Sequence, residues 1–331
     1  MKNETRRISV SILNDEIKEG SALITCASFE SRSLYISENI SKEKIKKSYV
    51  FSTDEIDPIR EAREQLSSLL QDPTIIIVDK SDPFSCQKKA FDVVHELISI
   101  GIKQVLVDTS TFTHEMLLIL LNVLWRKRSF FEEIVFAYTG ADEYCPNTKE
   151  KWLSKGCREV RSILGYPGLL VPRKQICLIV LVGFEYERAL GLIDAVDPDL
   201  LYMGCGIVCS EHVVSEHHME PMSQFNNLHK TLLSSRENVC TFDFSARDIS
   251  STISAVEDIL KRTEDYNHII VPMNTKMSTL AVGMIALANP AIQVCYAEPE
   301  TYNYENYSSC GDSVLRYMWD KKYMSVISSN N

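Results

Sequence analysis

The chain has 331 residues, a formal net charge of −10 at pH 7, and 45% hydrophobic and 24% charged residues. This length suits two domains of ordinary size, and the composition is that of a globular protein. The acidic balance argues against broad binding to DNA or RNA, which needs many Lys and Arg side chains to neutralise phosphates. No apolar run approaches the roughly 18 residues of a membrane-spanning helix, so we expect no membrane contact.

Strands and helices alternate through the first half of the chain. Apolar segments predict strands at 22–27, 48–52, 74–79, 104–108 and 133–138. Between them, apolar residues recur at helical spacing, which predicts helices at 31–40, 58–70, 86–100 and 112–127. The runs at 75–78 and 105–107 are continuously apolar, as expected for strands that are covered on both faces.

The second half repeats this alternation. Its predicted strands lie at 176–183, 200–204, 239–243, 267–272 and 292–297, and its predicted helices at 186–195, 222–234, 250–262 and 276–288. Asp248 or Ser250 is expected to cap the third of these helices, and Asn274 or Thr275 the fourth. Strands that alternate with helices predict a parallel sheet with right-handed crossovers and helices on both faces.

The two halves also match each other in sequence. Residues 22–34 and 179–190 each read as an apolar run, a small residue, Phe-Glu and an Arg, and 104–116 matches 268–280. Two tyrosines six positions apart follow in both halves, Tyr138 with Tyr144 and Tyr296 with Tyr302. The offsets between matched positions are 155, 164 and 158 in turn, so the insertions and deletions are small enough for surface loops. Three matches in one order predict a duplicated domain.

We therefore predict an α/β protein with two tandem Rossmann-like parallel-sheet domains that form a pseudo-dimer. A polar leader is expected at 1–20, the first repeat at 21–150, a connecting segment at 151–174, and the second repeat with a C-terminal appendage at 175–331. Ser-Lys-Gly156-Cys157 in the connecting segment is echoed by Ser-Ser-Cys310-Gly311, so each half would end in a small appendage. The alternative is one large α/β domain with incidental internal likeness.

The matched motifs fall where strands end. Ligands of open parallel sheets bind outside the carboxyl ends of the strands, and two equivalent sets of loops suit one ligand held between two halves. After the first strand of each half, the candidate ligand-binding residues are Ser28, Glu30, Arg32, Gly183, Phe184, Glu185 and Arg188.

The chemistry of these residues suits a nucleotide. Ser28 and Gly183 are small enough for the backbone to approach a ligand, and the helices that follow present N-terminal amides to an anion. Arg32 and Arg188 can bind a phosphate through two hydrogen bonds, and the glutamates can accept from a base or a ribose hydroxyl. The alternative is that each glutamate complements the helix dipole and pairs with the neighbouring arginine.

The fourth strand of each half ends in a polar turn. These turns add the candidates Asp108, Thr109, Ser110, Thr111, Asn274, Thr275 and Lys276. Hydroxyls, amides and helix-start N–H groups together form a cradle for phosphate or ribose, and Lys276 adds a positive charge. The alternative is a set of ordinary helix N-caps. After the last strand, Tyr302 can stack on a nucleobase, whereas Tyr138 and Tyr296 can equally be core residues.

The strand end at Asn274-Thr275-Lys276-Met277-Ser278, followed by an apolar helix and a strand, resembles the CRISPR-associated Rossmann-fold (CARF) sensor domains. Those domains carry a strand-end Gly-Thr-Lys-x-Met type motif and bind cyclic oligonucleotides between two copies. Two fused copies in one chain resemble the SAVED version used in antiviral defence. The resemblance implies that Thr275 and Lys276 line a ligand site.

The chain departs from that family pattern in both halves. Met273 and Asn274 stand where the family has glycines, and a methionine follows the lysine directly. In the first half, Ser110 and Thr111 take the place of Thr-Lys, with Phe112 where the lysine would be. The first half therefore keeps only the hydroxyls of the motif.

Two other groups of residues have metal-binding or catalytic chemistry. Cys205, Cys209 and His212 are candidate zinc ligands, with a His-rich surface loop as the alternative. His114 and Glu115 are a candidate acid–base pair. A P-loop, a Gly-x-Ser-x-Gly elbow and an intact Gly-x-Gly-x-x-Gly fingerprint are all absent from the sequence. We predict no cofactor and no metal, and we assign no catalytic residue.

Ten scattered cysteines and the lack of a secretory signal after Met1 predict free thiols in the reducing cytoplasm.

Three functions remain open. The first is a sensor, rather than an enzyme, that binds a nucleotide-like small ligand such as a cyclic oligonucleotide, in antiviral defence, with a protein partner or as a homo-oligomer. The second is a nucleotide-processing enzyme of the phosphodiesterase or glycosidase type. The third is a structural subunit of a larger defence complex in which the pockets are degenerate.

Overall fold

The computed structural model describes residues 4–53, 56–145, 152–207, 219–321 and 324. The chain divides into two compact units, one formed by Met1–Glu143 with Ser308–Asn331 and the other by Tyr144–Tyr307. Each unit is an α/β body built around a mainly parallel, Rossmann-like sheet, which confirms the predicted fold class.

The predicted strands and helices are all present in the predicted order, and the structure adds five strands and helix α1 among the described residues. The strands are β1 (Arg6–Ile8), β2 (Ser21–Cys26), β3 (Ile45–Ser52), β4 (Pro73–Ile77), β5 (Gln104–Asp108), β6 (Glu133–Tyr144), β7 (Ser154–Lys155), β8 (Glu159–Pro167), β9 (Ile176–Val182), β10 (Leu200–Ile207), β11 (Val239–Ser245), β12 (Asn267–Pro272), β13 (Gln293–Glu298), β14 (Thr301–Tyr302) and β15 (Ser308–Asp320). The helices are α1 (Val10–Glu16), α2 (Arg32–Asn39), α3 (Asp57–Leu69), α4 (Pro83–Ser99), α5 (His114–Arg126), α6 (Tyr186–Val196), α7 (Met219–Leu233), α8 (Ile249–Arg262) and α9 (Lys276–Ala288).

The two sheets share one strand order. The first sheet runs β1-β15-β6-β5-β2-β3-β4 and the second runs β11-β10-β9-β12-β13-β8. In each, the first parallel strand of the repeat lies between the second and the fourth, so β2 pairs with β3 and β5, and β9 pairs with β10 and β12. The same order in both halves is what a duplicated domain produces.

Apolar burial explains why these segments form strands and helices. Leu23 and Leu106 in the first sheet, and Leu178 and Val271 in the second, are at most 1% exposed. Asp248 caps α8 by accepting from the Ser251 amide, as one of the two predicted alternatives. Thr275, rather than Asn274, caps α9 by accepting from the Ser278 amide. Across the described residues, no helix is both long and apolar enough to cross a membrane.

The long strand that follows the parallel strands of each repeat joins the sheet of the other repeat. Strand β15 ends the second repeat in sequence, yet it lies between β1 and β6 in the first sheet, while β8 follows the first repeat and pairs antiparallel with β13 in the second. The sequence places 308–320 with the second repeat because hydrophobic periodicity identifies a strand without identifying its partner.

The predicted leader at 1–20 also contributes to the first sheet. It contains β1, which pairs antiparallel with β15, and α1, whose Leu13 is fully buried. Both elements are too short to show a clear hydrophobic periodicity, so the sequence alone predicts a polar leader here.

Candidate functional site

In each unit, the chain leaves the first parallel strand to one side of the sheet and later returns to its other side, so β2 lies between β3 and β5, and β9 between β10 and β12. Two loops therefore meet at this point of each sheet. The loops after β2 and β5 lie side by side in the first unit, and those after β9 and β12 in the second. Crevices of this kind, at the carboxyl ends of parallel strands, are where open α/β sheets bind ligands. The predicted site residues lie in these four loops and the helix starts that follow them, except for Asp108, the last residue of β5, and Tyr302 in β14.

In the first unit, the predicted residues Glu30 and Arg32 form a buried ion pair. Arg32 Nε donates to Glu30 Oε2 at 2.7 Å and Nη2 donates to Oε1 at 3.1 Å, with side chains only 4% and 7% exposed. Arg32 Nη1 also donates to the Tyr138 hydroxyl at 3.2 Å and to the Thr139 carbonyl at 3.1 Å. Arg32 therefore makes at least four hydrogen bonds within the protein, and the pairing that the sequence left as an alternative is observed.

The polar turn after β5 is held together by its own hydrogen bonds. Ser110 donates to Asp108 Oδ1 through its amide at 3.1 Å and its hydroxyl at 2.5 Å, and Thr25 donates to Oδ2 at 3.3 Å. Thr109 Oγ1 donates to the Ala137 carbonyl at 2.9 Å, and Thr111 Oγ1 to the Cys26 carbonyl at 2.7 Å. These side chains join the ends of neighbouring strands.

Asp108 itself is 1% exposed. Burial raises the pKa of Asp108 to about 6, while the hydrogen bonds from Ser110 and Thr25 and the charge of Arg32 oppose that rise. The carboxyl is enclosed by these partners, so its perturbed pKa reflects burial in the fold. Ser28, in the loop that follows β2, is also buried, and its hydroxyl accepts from the Glu30 amide at 3.4 Å.

The second unit contains the matching pair, Glu185 and Arg188. Both residues are buried, at 8% and 3% exposed, and Arg188 Nη2 donates to Glu185 Oε2. Arg188 Nε is fully buried and has no hydrogen-bond acceptor among the described residues. Arg188 thus differs from Arg32, because one of its donors is left unsatisfied in a low-dielectric surrounding.

Aromatic side chains surround this second pair. Tyr296, Tyr302 and Tyr307 lie close enough to Arg188 to interact with its charge. The hydroxyls of Tyr296 and Tyr302 are 3.4 Å apart, and burial raises the pKa of Tyr302 well above its usual value. The predicted residue Phe184 packs against Tyr144 with ring centroids 4.7 Å apart, and both rings are half-buried.

Gly183 has a structural role in the loop after β9. A Cβ at this position would overlap the Met273 carbonyl oxygen, so the small residue is required by the chain's own backbone. Asn274 Nδ2 donates to the Val182 carbonyl at 2.8 Å, and Thr275 Oγ1 donates to the Ala246 carbonyl at 2.6 Å. Lys276 is the first residue of α9 and is half-buried.

Two serines that the sequence did not predict as site residues complete the ion pairs. Ser308 Oγ donates to Glu30 Oε2 at 2.6 Å, and Ser154 Oγ donates to Glu185 Oε1. Each serine begins the appendage of one repeat and contacts the glutamate of the other. The echo between Ser-Lys-Gly156-Cys157 and Ser-Ser-Cys310-Gly311 was the available signal, because it starts at these two serines.

The remaining candidates are the predicted zinc ligands and the predicted acid–base pair. Cys205 lies in β10, whereas Cys209 and His212 fall outside the described residues. Within the described ranges, no group of three or more His, Cys, Asp or Glu side chains is arranged to hold a metal ion. His114 and Glu115 are buried in the first turn of α5.

Comparison with known proteins yields only weak likenesses. No protein-family model matches the chain, and no curated protein matches it. Solved structures that resemble it include a dehydrogenase/reductase from Sinorhizobium meliloti, at 8% identity and a TM-score of 0.27, which covers 85% of this chain and 93% of that one. A leucoanthocyanidin reductase complex with NADPH from Vitis vinifera matches at 10% identity and a TM-score of 0.23, over 94% of this chain and 99% of that one. Likenesses at these scores carry no argument about function.

Proposed function

We propose that this protein binds a nucleotide-like small ligand in its second unit and serves as a sensor rather than an enzyme. The observation that carries the proposal is Arg188, a guanidinium 97% buried at a strand-end crevice whose Nε has no acceptor among the described residues. Buried donors are almost always satisfied in folded proteins, so an unsatisfied one at a ligand-binding position points to a missing partner.

The surroundings of Arg188 supply further groups that suit a nucleotide. Helices α6 and α9 begin directly after neighbouring strands, and the N-cap of α6 makes no side-chain hydrogen bond to its first turn. Free helix-start amides bind anions, and Lys276 at the start of α9 adds positive charge. The half-buried rings of Phe184 and Tyr144 provide a face on which a base can stack.

The state of the carboxylates favours sensing over catalysis. Both oxygens of Glu185 are engaged, one by Arg188 and one by Ser154. Asp108 in the first unit is enclosed by Ser110 and Thr25. A general acid or base must reach the substrate's proton, and these carboxyl groups are held by the protein instead. A role in antiviral defence rests on the resemblance to CARF and SAVED domains and is part of the proposal.

A thermal-shift screen against mono-, di- and cyclic oligonucleotides tests the binding proposal, because a ligand that binds only the folded state raises the unfolding midpoint. We expect a shift in the native protein that is lost in Lys276→Ala. Lys261→Ala is the matched control, since Lys261 lies in the last turn of α8 and its side chain is 72% exposed. A screen without any shift would move the assignment to a structural subunit, whereas turnover of a bound nucleotide that is abolished by Glu185→Gln would show an enzyme.

A further inference from the structure

The charge of Arg188 is already balanced inside the protein. Its guanidinium forms an ion pair with Glu185, and the two side chains are only 3% and 7% exposed. A tyrosine side chain is ordinarily neutral near pH 7, and burial raises the pKa of the neighbouring Tyr302 well above its usual value. The buried cluster of Arg188, Glu185 and the tyrosines therefore has no net charge. Arg188 can still donate one hydrogen bond to a ligand, through Nε.

A phosphate would bind poorly beside this pair. Its negative charge would have to enter a buried space next to the Glu185 carboxylate, where like charges repel strongly and water is excluded. An uncharged acceptor satisfies the orphan N–H without that repulsion.

We propose that Arg188 hydrogen-bonds an uncharged acceptor of the ligand, a carbonyl oxygen or ring nitrogen of a nucleobase, and that Arg188 does not bind phosphate. This inference rests on the proposed function and assigns a part of the ligand to the site. The phosphate then lies towards the starts of α6 and α9, near Lys276.

The two units differ in how far the donors of their buried arginines are engaged. Arg32 donates to both oxygens of Glu30, to the Tyr138 hydroxyl and to the Thr139 carbonyl. Its donors are engaged within the protein, and Ser308 engages the glutamate. We therefore expect the second unit, and not the first, to hydrogen-bond the nucleobase.

Access to Arg188 requires a local movement. The residue is 3% exposed, and Tyr302, which lies close enough to interact with the Arg188 charge, is half-buried. We expect a turn of this ring to open a path to the guanidinium and to leave an aromatic face on which the base stacks. Binding is thus expected to change tyrosine fluorescence.

The test compares four nucleosides, adenosine, guanosine, cytidine and uridine, with their 5′-monophosphates by calorimetric titration. For the pair that binds best, we expect Arg188→Gln to weaken the nucleoside and the monophosphate by the same factor, about tenfold or more, as for loss of a buried hydrogen bond. The salt dependence of monophosphate binding should stay as in the native protein, because that dependence reports contacts with the charged group.

Arg188→Gln leaves Glu185 buried without its partner, so the double variant Glu185→Gln/Arg188→Gln, which removes both charges, serves if the single variant does not fold. A loss confined to the monophosphate, together with a weaker salt dependence, would overturn the inference while leaving the proposed function intact. Binding of none of the eight compounds to the native protein, together with no shift from any cyclic oligonucleotide, would instead remove the proposed function itself.

Discussion

The two Glu–Arg pairs have the same residue types but different hydrogen bonding, and alanine substitution of each arginine should separate them. Arg32 and Arg188 are equally buried, at 3% exposed, so replacing either by alanine removes the same volume from a similarly enclosed place. The packing loss is common to both variants. The difference between them in unfolding free energy then reports the polar contacts alone.

The expected magnitudes follow from those contacts. Removing one partner of a buried ion pair costs about 3–5 kcal/mol, because the other charge is left uncompensated. Arg32→Ala also removes hydrogen bonds to Tyr138 and Thr139, each worth about 1 kcal/mol, so its total loss is about 5–7 kcal/mol. Arg188→Ala also removes the ion pair to Glu185, but it relieves the burial of the unsatisfied Nε, which costs about 1–3 kcal/mol in the native protein. The two effects have opposite signs, so the net loss of stability is about 2 kcal/mol.

Differential scanning calorimetry of both variants and the native chain, at one pH and without ligand, measures this difference. A gap of about 3–5 kcal/mol corresponds to midpoints roughly 6–20 °C apart in units of this size. The two units can unfold in separate transitions, so each variant is compared through the transition that it shifts. Equal losses, or a larger loss in Arg188→Ala, would refute the conclusion that Arg188 is the less satisfied of the two arginines.

Three further substitutions test other features of the fold. Burial raises the pKa of Asp108 from 3.8 to about 6, so the folded protein keeps the Asp108 carboxyl protonated to a higher pH than the unfolded chain does. The free energy of unfolding should therefore fall by about 3 kcal/mol as the pH rises from about 4 to about 6. Asp108→Asn should abolish the fall, as measured by urea unfolding between about pH 4 and 7. Gly183→Ala should cost about 1–3 kcal/mol through overlap with Met273, whereas Gly140→Ala, where a Cβ has no neighbour nearer than 4.0 Å, should change urea midpoints little. Trp319→Ala in β15, where the ring packs edge-on against two aromatic rings, should lower stability by about 3–5 kcal/mol in thermal unfolding, and a neutral result would contradict the burial of this strand.

Local patterns were enough to predict most of the secondary structure. Every predicted strand and helix is present, and the ends agree within three residues except at β6, which continues to Tyr144. Buried parallel strands such as β5 are continuously apolar, and long helices such as α5 have apolar residues at helical spacing, so both can be recognised from neighbours in sequence. The additional strands β1, β7, β8, β14 and β15 were not predicted.

The candidate site was only partly visible in the sequence. Strand-end position identified Glu30, Arg32, Glu185 and Arg188, because the carboxyl ends of parallel strands follow from the βα order. The sequence could not decide whether the arginines would bind a ligand or pair with the glutamates. That choice depends on distances of a few ångströms between side chains, which sequence spacing does not specify.

The sequence by itself determined the α/β class and the repeated alternation of strands and helices along the chain, since both depend on hydrophobic periodicity and on short motifs that occur twice. Only the tertiary structure decided that β15 completes the first sheet and β8 the second, and that Ser308 and Ser154 reach the glutamates of the opposite repeats. It also decided that Arg32 is satisfied while Arg188 Nε is not. Pairing between distant strands, and the satisfaction of buried donors that follows from it, is settled by which surfaces meet when the chain folds, and local sequence carries no record of that choice.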